Sequence, residues 1–262
     1  MFKKVLALCL VLVMVLGCMS GCSAAKLTVE SVQKAGKLII GTSPDFPPFE
    51  SLSADGKVEG IEIEIMELIC QELGIELEIK QMDFDSVLPG VQTGKFNVGV
   101  SGISVTPERE KNTLFTVPYC LAAQAIVVTS GSPITCKADL EGKTVSVQTG
   151  TTAEEFCMSN GYDVKAFAAN ADAEAALTVG KVDAWVIDDL TAAEMVASYN
   201  EDHPDAPLVI LSEAMTTEPY AFAFAQGNDE LVAKIDEILQ GLLADGTIAK
   251  IFEEYDAPYT AP

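Results

Sequence analysis

The sequence is poor in the side chains on which many catalytic and metal-binding sites depend. Among its 262 residues there is one histidine, His203, which lies in a polar stretch typical of a turn. A Ser-His-Asp triad would need this histidine far from that context, and a His-rich metal site is excluded. The sequence also lacks a phosphate-binding glycine-rich loop with a lysine. We therefore expect neither a cofactor nor a bound metal.

Basic side chains are also scarce. Lysine and arginine together number 16 against 39 aspartates and glutamates, which gives a formal net charge of -23. A surface this negative repels phosphate backbones and anionic lipid headgroups, so we expect no nucleic-acid partner and no electrostatic attachment to a membrane. With 49% hydrophobic and 21% charged residues, the balance is otherwise that of a globular chain. The length suffices for one large domain or two lobes.

A long apolar run stands at the N-terminus. The chain begins with the short basic segment Met1–Lys4, and the apolar run Val5–Leu16 follows. This stretch is shorter than the roughly 20 residues that a membrane-spanning helix needs. The pattern is typical of a signal peptide.

Small residues and cysteines follow the apolar run. The residues around Cys22 resemble the lipobox of bacterial lipoproteins, in which the cysteine becomes the lipidated first residue of the mature chain. Cys18 is the alternative, and a plain secretory signal with incidental cysteines is a further one. We predict a lipoprotein signal peptide over residues 1–21 and a tether over residues 22–36. The protein would then lie outside the cytoplasm and contact the membrane only through its N-terminal lipid.

Four cysteines lie beyond the leader: Cys70, Cys120, Cys136 and Cys157. They form no CxxC pair and have no metal-like spacing. Export permits disulfides, and Cys136 with Cys157 is the pair to test. Buried free thiols are the interpretation that we favour.

The chain from residue 37 onward alternates strand and helix patterns. Its first part predicts, in order, a strand at Lys37–Gly41, a helix with its apolar face at Ile61–Leu73, a strand at Glu76–Lys80, a helix at Val87–Val91 and a strand at Phe96–Val100. This order indicates a parallel sheet with helices on its faces.

The second part repeats the same order. It predicts a strand at Thr144–Val147, a helix from Thr152, a strand at Val164–Phe167, a helix at Ala171–Val179 and a strand at Val182–Ile187. The sequence therefore predicts a second α/β unit of the same plan.

Two extended apolar stretches would connect the units. Tyr119–Thr129 has the length to leave one unit and enter the other, and Tyr220–Phe224 alternates as a returning strand should. We predict a lobe formed by residues 37–119 plus 221–262 and a second lobe formed by residues 120–220, joined by these two crossings.

Polar residues gather where the predicted strands end. The strand ends are Gly41–Phe46, Ser101–Ser104, Gln148–Thr152 and Asp188-Asp189. Ligands of open parallel sheets bind outside the carboxyl ends of the strands. Two facing lobes would bring all four segments to one cleft.

Arg109 is the only arginine in the sequence. Its planar fork fits a carboxylate with two parallel hydrogen bonds. It follows the strand end Ser101–Ser104, which places it near the predicted cleft. A surface arginine paired with Glu108 or Glu110 is the alternative.

Other groups at the strand ends complement a guanidinium. Gly150–Thr152 would present backbone N–H groups at a helix N-terminus, which suit an anion. Asp188 supplies a carboxylate, which suits an ammonium. Together with Arg109 these groups predict a receptor for an α-amino acid. Phe46 and Phe84 would form walls for its side chain, whereas core packing is the stronger expectation for Phe49.

Several ordered motifs resemble one protein family. Gly41–Glu50 looks like the opening of the family 3 solute-binding proteins, the polar amino-acid receptors of ABC importers. Gly60–Met66 resembles their helix signature, with glutamates in place of the usual aspartates, and Ser101–Arg109 also matches in order. The resemblance implies a type II periplasmic-binding-protein-like fold. In that fold each of two α/β lobes has a mostly parallel sheet flanked by helices, and two hinge strands join the lobes. It implies a monomeric binding protein rather than an enzyme, with an ABC permease and ATPase as partners.

The resemblance also implies roles for individual residues. Arg109 would bind the ligand α-carboxylate, helped by the amides of Ser104 and Thr152. Asp188 would accept the α-ammonium, together with the carbonyl of Ser101 or Gly102 and the Ser104 hydroxyl. Phe46 and Phe84 would sandwich the side chain, and Gln148 and Ser43 would set selectivity. Members that bind basic or amide side chains often carry an acid near Ser43, so its absence argues against lysine or arginine, although Asp45 leaves both possible.

Two other functions fit the same scaffold. A dehydratase similar to the cyclohexadienyl dehydratases would need a proton donor, for which Glu62, Glu155 and Asp189 are the candidates. A ligand-sensing lobe for a signalling partner is the other alternative. In the absence of such chemistry, we expect Glu62 and Glu64 to occupy one solvated and one rim position at a helix start.

Overall fold

The computed structural model describes residues 26–213 and 215–262. The predicted signal peptide and both candidate lipidation sites, Cys22 and Cys18, lie outside the described residues. Within the described part, no helix has both the length and the apolar character needed to cross a bilayer.

Helices and short strands alternate along the described chain. The helices are α1 (Val29–Ala35), α2 (Ile61–Leu73), α3 (Val87–Gln92), α4 (Pro107–Glu110), α5 (Thr152–Ser159), α6 (Asn170–Thr178), α7 (Asp189–Asp202), α8 (Asp229–Ala244) and α9 (Thr247–Glu254). The strands are β1 (Lys37–Thr42), β2 (Ser51–Leu52), β3 (Val58–Glu59), β4 (Glu76–Gln81), β5 (Val98–Gly99), β6 (Thr113–Phe115), β7 (Cys120–Ala122), β8 (Gln124–Thr129), β9 (Thr144–Gln148), β10 (Asp163–Phe167), β11 (Ala184–Asp188), β12 (Leu208–Ile210), β13 (Glu218–Tyr220) and β14 (Ala223–Ala225).

Two five-stranded sheets form the centres of two lobes. The first has the strand order β4-β1-β5-β14-β6 and the second the order β10-β9-β11-β8-β12. The two sheets share one plan: the first three strands in each order are parallel, and the remaining pairs are antiparallel. The parallel strands confirm the predicted strand–helix–strand units. The sheets are mixed rather than mostly parallel because β14 and β8 enter directly from the crossings, without a helix to reverse their direction.

Two neighbouring strands connect the lobes. β7 pairs antiparallel with β13, and Cys120 lies opposite Tyr220. The hydroxyl-bearing rings of Tyr119 and Tyr220 are fully buried at this junction. The two predicted crossings therefore run side by side, and few residues join the lobes.

The hydrophobic core continues from the first lobe into this junction. The Phe49 ring is fully buried, and its centroid lies 5.1 Å from that of Tyr220 and 6.0 Å from that of Phe252. The expectation that Phe49 is a core residue is confirmed. This packing anchors the C-terminal helix α9 to the first lobe.

Part of the segment expected as a tether is a helix. α1 begins after a capping box formed by Thr28 and Ser31, and Val32 is buried. The Leu27 N–H donates to Asn228 Oδ1 at 2.8 Å, which ties the start of this segment to the first lobe. The segment from residue 27 onward is thus docked rather than extended away from the lobes.

The four described cysteines are free thiols. Cys70, Cys120 and Cys157 are buried, whereas Cys136 is half-buried. The interpretation that we favoured is confirmed, and the alternative bridge between Cys136 and Cys157 is wrong. Burial raises the pKa of Cys157 to about 12, so this thiol is inert at neutral pH.

Candidate functional site

A cavity lies between the lobes where the strands of both sheets end. With the lobes in this arrangement its volume is about 10 Å³, the room of about one water molecule. It is lined by Phe46, Phe84, Ser101, Gly102, Ser104, Arg109, Gln148, Thr151, Thr152 and Asp188. The first six residues belong to the first lobe and the last four to the second. Nine of the ten predicted ligand-binding residues are thus brought to one place, and Ser43 is the exception.

Arg109 reaches the cavity from the short helix α4. Thr106 caps this helix and accepts a hydrogen bond from the Arg109 N–H at 3.2 Å. The guanidinium donates to the carbonyl of Ser104 at 2.9 Å and, across the cleft, to that of Gly150 at 3.1 Å. Its Cζ atom lies 5.9 Å from the centre of the Phe84 ring, within cation–π range.

The surroundings of Arg109 exclude the surface alternative. The side chain is 9% exposed, and the neighbouring Glu108 pairs with Lys111 instead. Burial lowers the pKa of Arg109, and the negative charges of Glu155 and Glu218 oppose that shift. A guanidinium stays protonated at neutral pH nonetheless. Two of its five N–H groups are engaged, so donors remain for an anion in the cavity.

Asp188 faces the cavity from the second lobe. It ends β11 and stands immediately before α7, and it is 7% exposed. Gln124 lies opposite on β8 and donates its side-chain N–H to Asp188 Oδ1 at 3.0 Å. Burial, and next the negative charge of Glu218, raise the pKa of Asp188 to about 7. A cation in the cavity would stabilise its ionised form.

The turn after β9 carries the backbone N–H groups that we expected to bind an anion. Gly150 has φ +80°, and a Cβ atom there would lie 3.1 Å from Asp85 of the other lobe, so glycine permits this close approach. Its N–H is bound by Glu154 Oε2 at 2.7 Å and is therefore not free for a ligand, contrary to expectation. Helix α5 begins at Thr152 as predicted, and backbone N–H groups at its first turn have no partner within the helix.

Thr151 is a lining residue that the sequence analysis did not single out. Its hydroxyl caps α5 by accepting from the Glu154 N–H at 3.2 Å and donates to the Gln148 carbonyl at 2.7 Å. The neighbouring Glu154, three residues after Thr151, was the available signal.

Ser43 does not line the cavity. Its hydroxyl donates to Asp45 Oδ1 at 2.8 Å, and its N–H donates to Ser101 Oγ at 3.1 Å. The role of Ser43 in selectivity stays a prediction. In this arrangement its two hydrogen bonds join it to Asp45 and to the cavity-lining Ser101.

Asp45 joins the two lobes. Its Oδ2 accepts from Gln148 Nε2 at 3.1 Å and from the Asn170 N–H at 2.9 Å. Asn170 is the first residue of α6, and the positive end of a helix dipole favours a carboxylate there. The amide of Gln148, which lines the cavity, is thus held by the opposite lobe.

The candidate proton donors of the dehydratase alternative lie elsewhere. None of Glu62, Glu155 and Asp189 is among the residues that line the cavity. Glu62 is fully buried, so the expectation of a solvated or rim position for it is wrong. Its carboxylate turns inward because the Gly102 N–H and the Tyr119 hydroxyl bind it.

Two α/β lobes joined by two adjacent strands, with a polar cavity between them, define a two-lobed periplasmic binding protein. A sequence model of the bacterial extracellular solute-binding proteins, family 3, matches residues 38–257. The chain belongs to this family.

Individual relatives agree with that assignment. The L-cystine-binding protein TcyJ of Escherichia coli K12 is 28% identical over 231 residues, which cover 87% of this chain and 85% of the relative. An amino acid ABC transporter substrate-binding protein from Streptococcus pneumoniae, solved with bound L-arginine, is 30% identical with a TM-score of 0.79, over 87% of this chain and 96% of that one. The ancestral amino acid-binding protein AncCDT-1, a precursor of cyclohexadienyl dehydratase, is 31% identical with a TM-score of 0.78, over 87% and 98%.

Proposed function

We propose that this chain is the extracytoplasmic substrate-binding protein of an amino-acid ABC transporter and captures a polar L-amino acid between its lobes. One observation carries the proposal: among the described residues, Arg109 and Asp188 are the only charged side chains that line the cavity. The guanidinium would bind the α-carboxylate of the ligand, and the carboxylate would accept its α-ammonium. The names of relatives that bind cystine and arginine support the same ligand class.

The rest of the wall suits the ligand side chain. Phe46 and Phe84 supply aromatic faces, and Gln148 supplies an amide. Asp45 is occupied by protein donors and does not line the cavity, so no free acid faces that part of it. Selectivity would therefore rest on stacking and on the Gln148 amide.

Closure follows from the position of the charged groups. Arg109 belongs to one lobe and Asp188 to the other, so a ligand that binds both bridges the lobes. The closed state gains these contacts and the open state lacks them, and this difference in affinity would drive closure. A permease and an ATPase would then receive the ligand from the closed form.

The cell envelope would hold the protein through a lipid on Cys22. The resemblance of residues 17–25 to a lipobox supports this anchor, and Cys18 is the alternative. Mass spectrometry of the mature N-terminus would distinguish the two sites.

Isothermal titration calorimetry with the twenty L-amino acids and L-cystine tests the proposed function. We expect at least one of them to bind. We expect analogues of that ligand that lack either the ammonium or the carboxylate to fail, because each leaves one charged wall residue unpaired. Arg109→Ala and Asp188→Asn should each weaken binding by roughly 2–5 kcal/mol, the usual effect of removing one partner of a buried charged pair.

Two neighbours serve as matched controls. Lys111→Ala removes an exposed cation close to Arg109 in sequence, and Asp189→Asn changes the acid next to Asp188. Neither side chain lines the cavity, so both variants should bind as the wild type does. Unchanged affinity in Arg109→Ala and Asp188→Asn would rule out this site, and turnover of prephenate would favour the enzyme instead.

A further inference from the structure

Two glutamates lie directly behind the first-lobe wall of the cavity. Glu50 follows the core residue Phe49, and Glu62 lies in the first turn of α2. Both side chains are fully buried. They form what we call the glutamate pair, Glu50 and Glu62, whose carboxyl groups lie within hydrogen-bonding reach of each other.

The glutamate pair binds the residues that form the cavity wall. The Ser101 hydroxyl donates to Glu50 Oε1 at 2.8 Å, and the Gly102 N–H donates to Glu62 Oε2 at 2.9 Å. The Tyr119 hydroxyl, at the start of the crossing between the lobes, donates to Glu62 Oε1 at 2.5 Å. Three of the four carboxyl oxygens are therefore satisfied by protein donors.

The fourth oxygen, Glu50 Oε2, has no hydrogen-bond partner among the described residues. No lysine or arginine in the described chain forms an ion pair with either carboxyl group. Two carboxylates in contact and away from water cannot both be ionised, because their charges repel and neither is solvated. A proton on Glu50 Oε2 that is donated to Glu62 satisfies the unpaired oxygen and removes the second charge.

We propose that Glu50 and Glu62 share one proton at neutral pH and that this pair acts as a positioning element for Ser101 and Gly102. Gly102 has φ +53°, and a Cβ atom there would lie 2.5 Å from the Phe46 ring, so the turn fits tightly against another wall residue. The pair fixes this turn from behind, and its bond to Tyr119 extends the same network to the crossing strands.

The charges around the pair determine which oxygen holds the proton. Burial, and next the negative charge of Glu62, raise the pKa of Glu50 well above its ordinary value, and the charge of Asp45 acts in the same direction. For Glu62, burial also raises the pKa, but the hydrogen bonds from Glu50, Tyr119 and Gly102 favour its ionised form. The remaining titratable neighbours, Tyr119 and Cys120, have raised pKa values and stay neutral at pH 7. The proton therefore lies on Glu50, since Glu62 accepts from two donors, Gly102 and Tyr119, and Glu50 accepts from Ser101 alone.

A raised pKa in the folded state fixes the sign of the pH dependence. The stabilisation by the protonated pair is fully present below the ordinary glutamate value of 4.5 and is lost as pH rises through the raised pKa of Glu50. Loss of the proton would place a second negative charge behind Ser101. We therefore expect both the free energy of unfolding and the ligand affinity to decrease at alkaline pH.

Infrared spectroscopy of the ligand-free protein tests the shared proton. A protonated carboxylic acid has a C=O stretch that is resolved from ionised carboxylates and amides. We expect this band in the wild type at about pH 8.5, where Asp188, with a pKa of about 7, is mostly ionised. Glu50→Gln should remove this band. Glu67→Gln changes an exposed glutamate of α2, the helix that carries Glu62, and should retain the band. Absence of the band from the wild type, or its persistence in Glu50→Gln, would overturn the proposal.

Isothermal titration calorimetry tests the positioning role. Unlike the infrared test, it rests on the proposed function, because it needs a bound amino acid. Glu50→Gln keeps a neutral donor toward Glu62 and should bind the ligand within about threefold of wild type at neutral pH. Its loss of affinity at alkaline pH should be smaller than that of wild type, since only deprotonation of the ligand ammonium then remains. Glu62→Gln loses an acceptor for Gly102 or Tyr119 and should bind at least about tenfold more weakly. Wild-type affinity in Glu62→Gln, or the same pH profile in wild type and Glu50→Gln, would contradict the role. If no amino acid binds, the proposed function fails while the infrared result still decides the shared proton.

Discussion

Under the proposed function, Asp188 couples ligand binding to a proton. Its pKa is raised to about 7 because the carboxyl group is buried and lies near the negative charge of Glu218. A ligand ammonium stabilises the ionised carboxylate, so that binding below this pKa requires a proton to leave. The affinity must then depend on pH around neutrality.

We expect the affinity for the amino acid to increase from about pH 5.5 to 7.5 and to change little immediately above that range, since one group with a pKa of about 7 loses its proton on binding. Calorimetry at pH 6.5 in buffers with different ionisation enthalpies should detect the release of about half a proton or more per bound ligand. Asp188→Asn should bind weakly and release no proton, whereas Asp189→Asn should still bind and release a proton, with the pH dependence moved to lower pH because one charge that raises the pKa of Asp188 is lost. Equal affinity at both ends of the range would show that Asp188 does not face the ammonium.

At the level of single residues, the charged groups of the cavity were easier to predict from the sequence than the residues that hydrogen-bond to the cavity wall. Arg109 was predictable because it is the only arginine and follows a strand end, and Asp188 because it ends an apolar strand. The position of Ser43 at a strand end does not show which side its hydroxyl faces, and here the hydroxyl donates to Asp45. Glu62 was expected near solvent, since a glutamate in a first helical turn normally is. Its burial depends on Gly102 and Tyr119, which come from distant parts of the chain.

Among the secondary-structure elements, the loop after β1 and the N-terminus of α6 form a contact across the cleft. Asp45 accepts hydrogen bonds there from Gln148 and Asn170. Both donors belong to the second lobe, so the contact exists only while the lobes are together. Asp45 thus stabilises the closed form without lining the cavity.

Asp45→Ala should shift the lobes toward the open form. We expect roughly tenfold weaker ligand binding, since two hydrogen bonds to a charged group are lost from the closed state alone. The loss should be seen mainly as faster dissociation in stopped-flow fluorescence, because the bonds form after the ligand enters. Asp83→Ala, an exposed residue of the same lobe whose side chain does not cap a helix, is the control. If Asp45→Ala and wild type release the ligand at the same rate, this contact does not stabilise the closed form.

The alternating elements were predictable from periodicity, but their partners across the sheets were not. Apolar runs ending in glycine identified β1, and the helical spacing from Ile61 to Leu73 identified α2. The antiparallel entry of β14 beside β5 joins residues far apart in the chain, and no local pattern encodes it. Helix α1 was missed because it is short and buries a single residue, Val32, so its apolar periodicity is weak.

For the whole molecule, two lobes of the same sheet plan meet at one cleft and are joined by the paired strands β7 and β13. The repeated order of strands and helices was enough to predict two lobes. Their relative orientation was not predictable, since it depends on contacts such as that of Arg109 with Gly150. These contacts show that the structure represents a form in which the lobes touch.

Because two paired strands join the lobes in the described chain, opening needs few backbone changes. A ligand shifts this equilibrium only by its difference in affinity for the two forms, and under the proposed function that difference would come from Arg109 and Asp188, one on each lobe. We expect small-angle X-ray scattering to show a smaller radius of gyration with saturating ligand than without it. Asp188→Asn, at the same ligand concentration, should stay at the ligand-free value, and Asp189→Asn should contract as the wild type does. Calorimetry on the same sample verifies that the ligand is bound. An unchanged radius of gyration in the wild type would then mean that the lobes close before the ligand arrives. The charged groups would in that case select a closed form that is already present.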